Sequence, residues 1–222
     1  MIYMNYIIAL CAASLISYLI GSLNSAIVAG YLIKHKDIRD YGSNNAGLTN
    51  IYRCFGTTCA VITFLFDICK GFLVVYGTRL ALFGSGLFSR EEYDVKTACM
   101  VVSLFAVLGH VFPIYYRFKG GKGILVAGMT MLAIDPLVFL FELLIFIILV
   151  AATRYVSVGS LATCVGYPVF TLIVEIFFRG FPHYTYSHVV MAGIIGLLCL
   201  LRHIPNIKRL VSHTENRFKF KK

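Results

Sequence analysis

An all-α integral membrane protein is the fold class this sequence predicts, and three observations predict it. Of its 222 residues, 59% are hydrophobic and only 14% are charged, and the mean hydropathy is +0.83. Soluble domains hold about 25% charged residues, so this is not the composition of one. The apolar residues fall in runs close to the ~20 that a helix needs to cross a bilayer. The basic residues sit between those runs or at their ends, with Lys70 the exception in the interior of one.

The runs lie at roughly 4–33, 57–75, 96–116, 123–134, 137–153, 156–178 and 186–201. The first is expected to be a membrane helix rather than a cleavable leader. Its first basic residue is Lys34, so no charged n-region precedes it, and it is longer than an h-region. The fourth is short and ends at Asp135-Pro136, a turn signal, so it reads as a half-span or one arm of a tight hairpin. The expectation is about seven transmembrane or half-membrane helices, or five to six full crossings.

Charge sets the orientation. Lys34, Lys36, Arg39 and Arg53 lie in the first loop; Arg117, Lys119 and Lys122 in the third; Arg154 in a tight connection; and Arg202, Lys208, Arg209, Arg217, Lys219, Lys221 and Lys222 in the tail. Seven crossings put these fifteen on one side, against Arg79, Arg90, Lys96 and Arg179 on the other, which also carries Glu91, Glu92 and Asp94. The positive-inside bias then predicts an N-terminus outside and a cytoplasmic C-terminus. The net charge of +10 is read as topology rather than as a nucleic-acid footprint. Seven scattered cysteines without a CxxC pair argue against a disulfide framework or zinc site and for small buried hydrophobes.

The same arrangement gathers the polar stretches on the cytoplasmic face. DIRDYGSNNAGLTNIYRCFG (37–56) is dense in Gly, Ser, Asn and Thr. Such residues offer turn amides and small donors to an anion, or simply a wet connector. FKGGKG (118–123) runs into an apolar segment. Its glycines are expected to present free N–H groups at a helix N-terminus, which favours phosphate, with Lys119 and Lys122 adding charge. The alternative is a basic topology anchor, and the Walker A spacing is absent. In LRHIPNIKRLVSHTENRF (201–218), His203, Asn206 and Arg209 stand three apart; if a helix forms, His203 and Asn206 share a face with Arg209 nearby, and the alternative is a basic cap for anionic lipid. Asp67 and Lys70 lie three apart inside a span, as functional groups or as an ion pair holding helices together. His110 reads as a packing residue or a site lining, and Glu142 and Glu175 are assigned no role.

Taken in order, these stretches resemble one family, the bacterial acyl-phosphate-dependent glycerol-3-phosphate acyltransferases. GSLNSAIVAG (21–30) is similar to the family's GSIPxA start. DIRDYGSNNAGLTNIYR matches a pattern like DIRxxGSGNxGATNxxR, DICKG matches DxxKG, and GHVFPIYYRFKGGKG matches GHxFPxxxxFKGGKG. RYVSVGS and RHIPNIKRLVSHTE complete the set, the latter against RHxxNxxRLxxGxE. Six pieces in order cover nearly the whole chain, so a single polytopic acyltransferase domain over 1–222 is expected. Asn24 stands where the family usually has Pro, Asn44 and His213 where it has Gly, Leu48 where it has Ala, and GILVA replaces GVAT. Glycine often supplies a positive φ, which Asn tolerates better than most residues. His35 and Asp40 in HKDIRD have the H-x4-D spacing of a different, soluble-headed acyltransferase class; that pair needs a large α/β domain, so the match is read as chance.

The resemblance implies transfer of a fatty acyl group from acyl phosphate to the 1-hydroxyl of glycerol 3-phosphate. It implies that Ser43, Arg53, Lys122, His203 and Asn206 contact glycerol 3-phosphate and carry catalysis. Asn45, Gly47, Thr49, Asn50 and Arg209 join them in substrate binding, and Lys119 with the Gly120, Gly121 and Gly123 amides holds a phosphate. Gripping the departing phosphate stabilises developing charge. An acyl phosphate is already activated, so Ser43 is not required as a nucleophile, and no partnered base is visible beside it. The base is His203 or the donor phosphate. No cofactor, metal or nucleic acid is expected; membrane lipids are, and a monomer is consistent with the pattern. The rival readings are a small-anion transporter, which predicts internal repeats that the sequence lacks, and a lipid-binding scaffold.

Overall fold

The computed structural model describes residues 2–84, 86, 88, 89 and 94–217. Among these the chain is helical and holds no strand. Of the charges that set the expected orientation, Arg90, Glu91, Glu92, Lys219, Lys221 and Lys222 lie outside the described residues. The chain divides into two compact units, Met1–Ile134 and Asp135–Lys222.

In the first unit, α1 (Ile2–Gly21) and α2 (Ser25–Lys34) replace the single run expected over 4–33. The break has a local cause. The buried Asn24 side chain accepts from the Ile27 amide and so starts a new helix three residues after α1 ends. A 3₁₀ turn (Ile38–Asp40) leads to α3 (Leu48–Phe55), a helix inside the stretch read as a loop. α4 (Thr57–Arg79) continues into a π turn (Leu80–Gly84), well past the expected end at 75. It packs on α2, α3, α5 and α6 and is the centre of this unit. α5 (Val95–Val111) lies along α1. A Cβ at Gly21 would collide with the Ala106 carbonyl and one at Gly109 with the Tyr18 carbonyl. Reciprocal glycines therefore let the two backbones touch, the small-residue packing typical of membrane helices.

A 3₁₀ turn (Ile114–Tyr116) and the glycine segment then reverse the chain into α6 (Ile124–Ile134). Eleven residues at ~1.5 Å each rise about 17 Å, roughly half of a hydrocarbon core. This is the short segment that the Asp135-Pro136 signal marked.

The second unit is a series of helices: α7 (Pro136–Thr153), α8 (Val156–Arg179), α9 (Thr185–Arg202) and α10 (Ile204–Val211), in which α8 packs on both α7 and α9. Asp135 caps α7, accepting from the Val138 amide with Pro136 in the first turn. Arg179 closes α8 with a bidentate pair to Asp135 at 2.6 and 2.9 Å, and Glu175 accepts from Arg179 and pairs with His188. Glu175, given no role by the sequence, thus belongs to an ionic cluster.

Among the described residues, six helical stretches are long and apolar enough to cross a membrane: Tyr3–Lys34, Thr57–Gly84, Val95–Tyr116, Pro136–Thr153, Val156–Arg179 and Thr185–Arg202. With α6 they give the seven segments expected, in a multi-pass integral membrane protein. The cysteines depart from expectation. Cys59, Cys99, Cys164 and Cys199 are buried, but Cys11, Cys54 and Cys69 are exposed. Cys11 and Cys69 lie in apolar spans, where facing outward costs a thiol little.

Candidate functional site

In the first unit, two loops meet. Loop 37–47 is organised by Asn50 from the first turn of α3. Its buried amide donates to the carbonyls of Tyr41 (2.9 Å), Asn45 (3.1 Å) and Ile38 (3.4 Å), while its oxygen accepts from the Ser43 amide at 2.9 Å. Asn50 was expected at the ligand; its polar atoms are instead engaged by the loop backbone, which makes it a brace. Ser43 is held by its backbone and leaves its side chain exposed. Asn44 has φ 56° and donates to the Arg39 carbonyl at 2.8 Å, so the position where the resemblance has Gly does take a left-handed conformation. Asn45 is half-buried, the Gly47 amide donates to the Asn45 carbonyl, and Gly47 precedes the first turn of α3. Thr49 is half-buried and Arg53 exposed; four residues apart, they share a side of α3.

The second loop is the glycine segment. Its expected free amides are not free: Gly120 N–H donates to the Val111 carbonyl and Gly121 N–H to the His110 carbonyl. The physical reason is the chain reversal at 112–118. Arg117 and Phe118 at φ 57° and 58° fold the segment back onto the end of α5, whose terminal carbonyls need donors. A Cβ at Gly120 would collide with the His110 carbonyl and one at Gly121 with the His110 ring, so only glycine fits. Gly123, buried at φ 89°, opens α6, whose first backbone bond runs from Ala127 to Gly123. The first-turn amides of α6 therefore have no partner within the helix, and they, rather than Gly120 and Gly121, are the amides suited to an anion. Lys119 is exposed and Lys122 half-buried.

The sequence reading gave no site role to the residue that joins the loops. Arg39 makes a bidentate pair with Asp37 and donates to the Tyr116 carbonyl at 2.8 Å and the Lys119 carbonyl at 3.3 Å. Burial alone would raise the Asp37 carboxyl, but hydrogen bonds from the Arg39 side chain and amide hold it below its ordinary value. Asn24, before α2, ties the serine loop to the helix break, donating to the Ala46 carbonyl at 3.2 Å. The DIRD quartet offered a signal, since Asp and Arg two apart in a turn can pair; the carbonyls that Arg39 reaches lie far along the chain.

In the second unit, His203 is buried at the joint between α9 and α10, and its Nδ1 donates to the Cys199 carbonyl at 2.8 Å. That bond makes Nε2 the proton-accepting atom of the ring. Asn206 is buried and donates to Glu215 at 2.9 Å; Arg209 Nε donates to the other Glu215 oxygen at 2.6 Å. The sequence reading assigned Glu215 no role, although it closes the last quoted stretch. His213 has φ 56°, again where the resemblance has Gly. Among the described residues, no cluster of His, Cys, Asp or Glu could hold a metal ion.

Comparison with known proteins places this architecture. Residues 11–213 match the profile of a family described as glycerol-3-phosphate acyltransferase. A glycerol-3-phosphate acyltransferase of Chlorobaculum tepidum is 34% identical, over 94% of this chain and 96% of its own. One from Macrococcus caseolyticus is 35% identical over the same shares. Among solved structures, PlsY, an integral membrane glycerol 3-phosphate acyltransferase in its glycerol 3-phosphate form, superimposes with a TM-score of 0.78 at 32% identity, covering 95% of this chain and 96% of that one. Its lysophosphatidic acid form gives 0.72 at 30% identity, with 95% of each chain covered. The chain belongs to the glycerol-3-phosphate acyltransferase family.

Proposed function

We propose that this chain transfers a fatty acyl group from acyl phosphate to the 1-hydroxyl of glycerol 3-phosphate. The products are lysophosphatidic acid and phosphate, and the step opens membrane phospholipid synthesis. The acyltransferase domain spans 1–222 in a bacterial plasma (inner) membrane, with its N-terminus outside and its C-terminus and active site facing the cytoplasm. The observation that carries this reading is the joining, within one unit of a chain of this family, of a braced serine loop to a lysine-bearing glycine turn. Both substrates are phosphate esters or anhydrides, and cations beside helix-start amides suit such groups.

In this reading Ser43, Arg53, Lys122, His203 and Asn206 contact glycerol 3-phosphate, with Asn45, Gly47, Thr49 and Arg209 supporting it. Lys119 and the first turn of α6 hold the donor phosphate. Asn50, Gly120 and Gly121 position the loops. The substrate hydroxyl oxygen bonds to the acyl carbon, the carbon–oxygen bond to phosphate breaks, and phosphate leaves with the electron pair. The hydroxyl proton passes to His203 Nε2 or to the leaving phosphate. Cations that grip the phosphate more tightly as its charge grows lower the barrier.

The test is an acyl-transfer assay on purified protein in detergent or lipidic mesophase with glycerol 3-phosphate and, separately, palmitoyl phosphate, palmitoyl-CoA or palmitoyl carrier protein. Lysophosphatidic acid from the acyl phosphate alone is expected. Product from a thioester alone keeps the acyltransferase and overturns the donor; no product from any donor with folded protein overturns the reading.

A further inference from the structure

The first unit holds a buried polar cluster that the reaction above does not use. Asp67 and Lys70 on α4, His110 on α5 and Ser25 on α2 are each at most 5% exposed. Asp67 Oδ1 accepts from Ser25 at 2.7 Å and from Lys70 at 2.8 Å. Lys70 carries three N–H donors, and all have targets: Asp67, the Leu23 carbonyl at 3.0 Å and His110 Nδ1 at 3.1 Å. Leu23 lies in the break between α1 and α2, where carbonyls lack helical partners. The ammonium thus satisfies that break and bridges it to the end of α5.

The cluster does not stop there. Because Lys70 donates to Nδ1, the His110 ring carries its hydrogen on Nε2. That nitrogen lies against Gly121, so closely that a side chain there would collide with it. The His110 carbonyl meanwhile accepts from the Gly121 amide. The Ala46 carbonyl reaches the same face of Gly121, where it would lie 2.8 Å from an added Cβ. Ala46 is in turn fastened by Asn24, whose cap begins α2 directly after the break. A closed circuit results: helix break, Lys70, His110, glycine turn, serine loop, and back to the break through Asn24.

We propose that Lys70 and His110 are positioning residues, a buried ammonium–imidazole pair that sets the glycine turn and the serine loop in the register that binds phosphate. An ion pair of purely structural use would need neither the imidazole contact with Gly121 nor the carbonyls of the break. The proposal rests on the acyltransferase reading for its ligand, but its geometry can be tested without substrate.

The experiment measures amide hydrogen exchange, with acyl-transfer kinetics alongside, on full-length wild type, Lys70→Met and His110→Asn. The Asn oxygen takes the place of Nδ1 and puts nothing at Nε2. In K70M, exchange over 119–123 is expected to speed up about tenfold or more while α7–α9 keep wild-type protection. The KM for glycerol 3-phosphate is expected to rise about tenfold with kcat changed less than about threefold, the signature of lost binding. H110N should show the same pattern more weakly. Unchanged exchange in the turn overturns the proposal, and so does a rise spread evenly over all helices. Should K70M fail to insert, ¹⁵N spectra of histidine-labelled wild type decide: a His110 hydrogen on Nε2 is expected, and one on Nδ1 overturns it. Wild type that transfers no acyl group sinks the functional reading, while the exchange result still judges the positioning.

Discussion

The two units brace their candidate residues by different means. In the first, the serine loop hangs on one neutral amide, Asn50, which reads four backbone positions of the loop, and on Arg39, which donates to carbonyls of the second loop. In the second, one carboxylate, Glu215, grips Asn206 and Arg209 together, and a carbonyl fixes the His203 ring. Backbone-directed bracing shapes a loop; side-chain-directed bracing aims individual groups. The loss of one atom should therefore act differently in the two places.

The largest effect is expected at Glu215. Glu215→Ala removes two hydrogen bonds to charged groups, each worth about 1.5–3 kcal/mol. It leaves the buried Asn206 amide and the Arg209 guanidinium without this partner. Thermal unfolding in detergent should fall by several degrees, and acyl transfer should drop further than the lost stability explains, because two groups that the proposed function assigns to substrate binding are released at once. Glu215→Gln keeps an acceptor and should recover part of the stability. A Glu215→Ala protein of wild-type melting temperature would break the comparison.

Asn50→Leu comes next. It strands the Ser43 amide and the donors' target carbonyls, at a cost of about 1–3 kcal/mol. Since the loop is exposed and water replaces some of these bonds, the melting temperature should move little. The change should appear instead as rapid hydrogen exchange over 38–47 and an increased KM for glycerol 3-phosphate. If stability and exchange change together across the unit, Asn50 is a core residue and the contrast with Glu215 disappears.

The Asp37–Arg39 pair gives a smaller, pH-dependent effect. A carboxyl held below its ordinary value stabilises the fold above the unfolded pKa, about 3.9, and that contribution is lost as pH falls through the folded value. Between about pH 5 and pH 3, wild type should lose more stability than Asp37→Asn, which never had the charge. Equal losses would mean that Arg39 holds the loops through the Tyr116 and Lys119 carbonyls alone.

How much of this was legible depends on how local the cause is. The short α6 was legible because its length and the Asp135-Pro136 stop that directly follows it are both local. The helix α3 was not: its eight residues have loop composition, and its amphipathic face is buried by α2 and α4, which come from elsewhere in the chain. The break at 22–24 hides in an apolar count because one capping Asn barely changes hydropathy. The glycine segment misled for a non-local reason. Its motif suggests free amides, but the carbonyls that engage Gly120 and Gly121 come from the end of α5, reached only after the reversal at Arg117 and Phe118. Glu215 sits in a quoted motif, yet nothing in the spacing says that one carboxylate would reach two residues on α10.

The smallest effect compares two left-handed residues that stand where the resemblance has Gly, one in each unit. A non-glycine residue in this region costs roughly 1–2 kcal/mol, and glycine avoids that while losing more chain entropy on folding. At Asn44 the strain is partly offset, since asparagine tolerates the conformation and its side chain donates to the Arg39 carbonyl. Asn44→Gly should therefore be near neutral or slightly destabilising. His213 has the same φ and follows the end of α10, where its amide donates to the Leu210 carbonyl in a turn that leads to Glu215. His213→Gly should stabilise the second unit by a few tenths to about 1 kcal/mol. Paired melting curves of the two variants decide the sign. A gain at 44 larger than at 213 would show that the Asn44–Arg39 bond contributes nothing, and that the first loop is shaped by Asn50 alone.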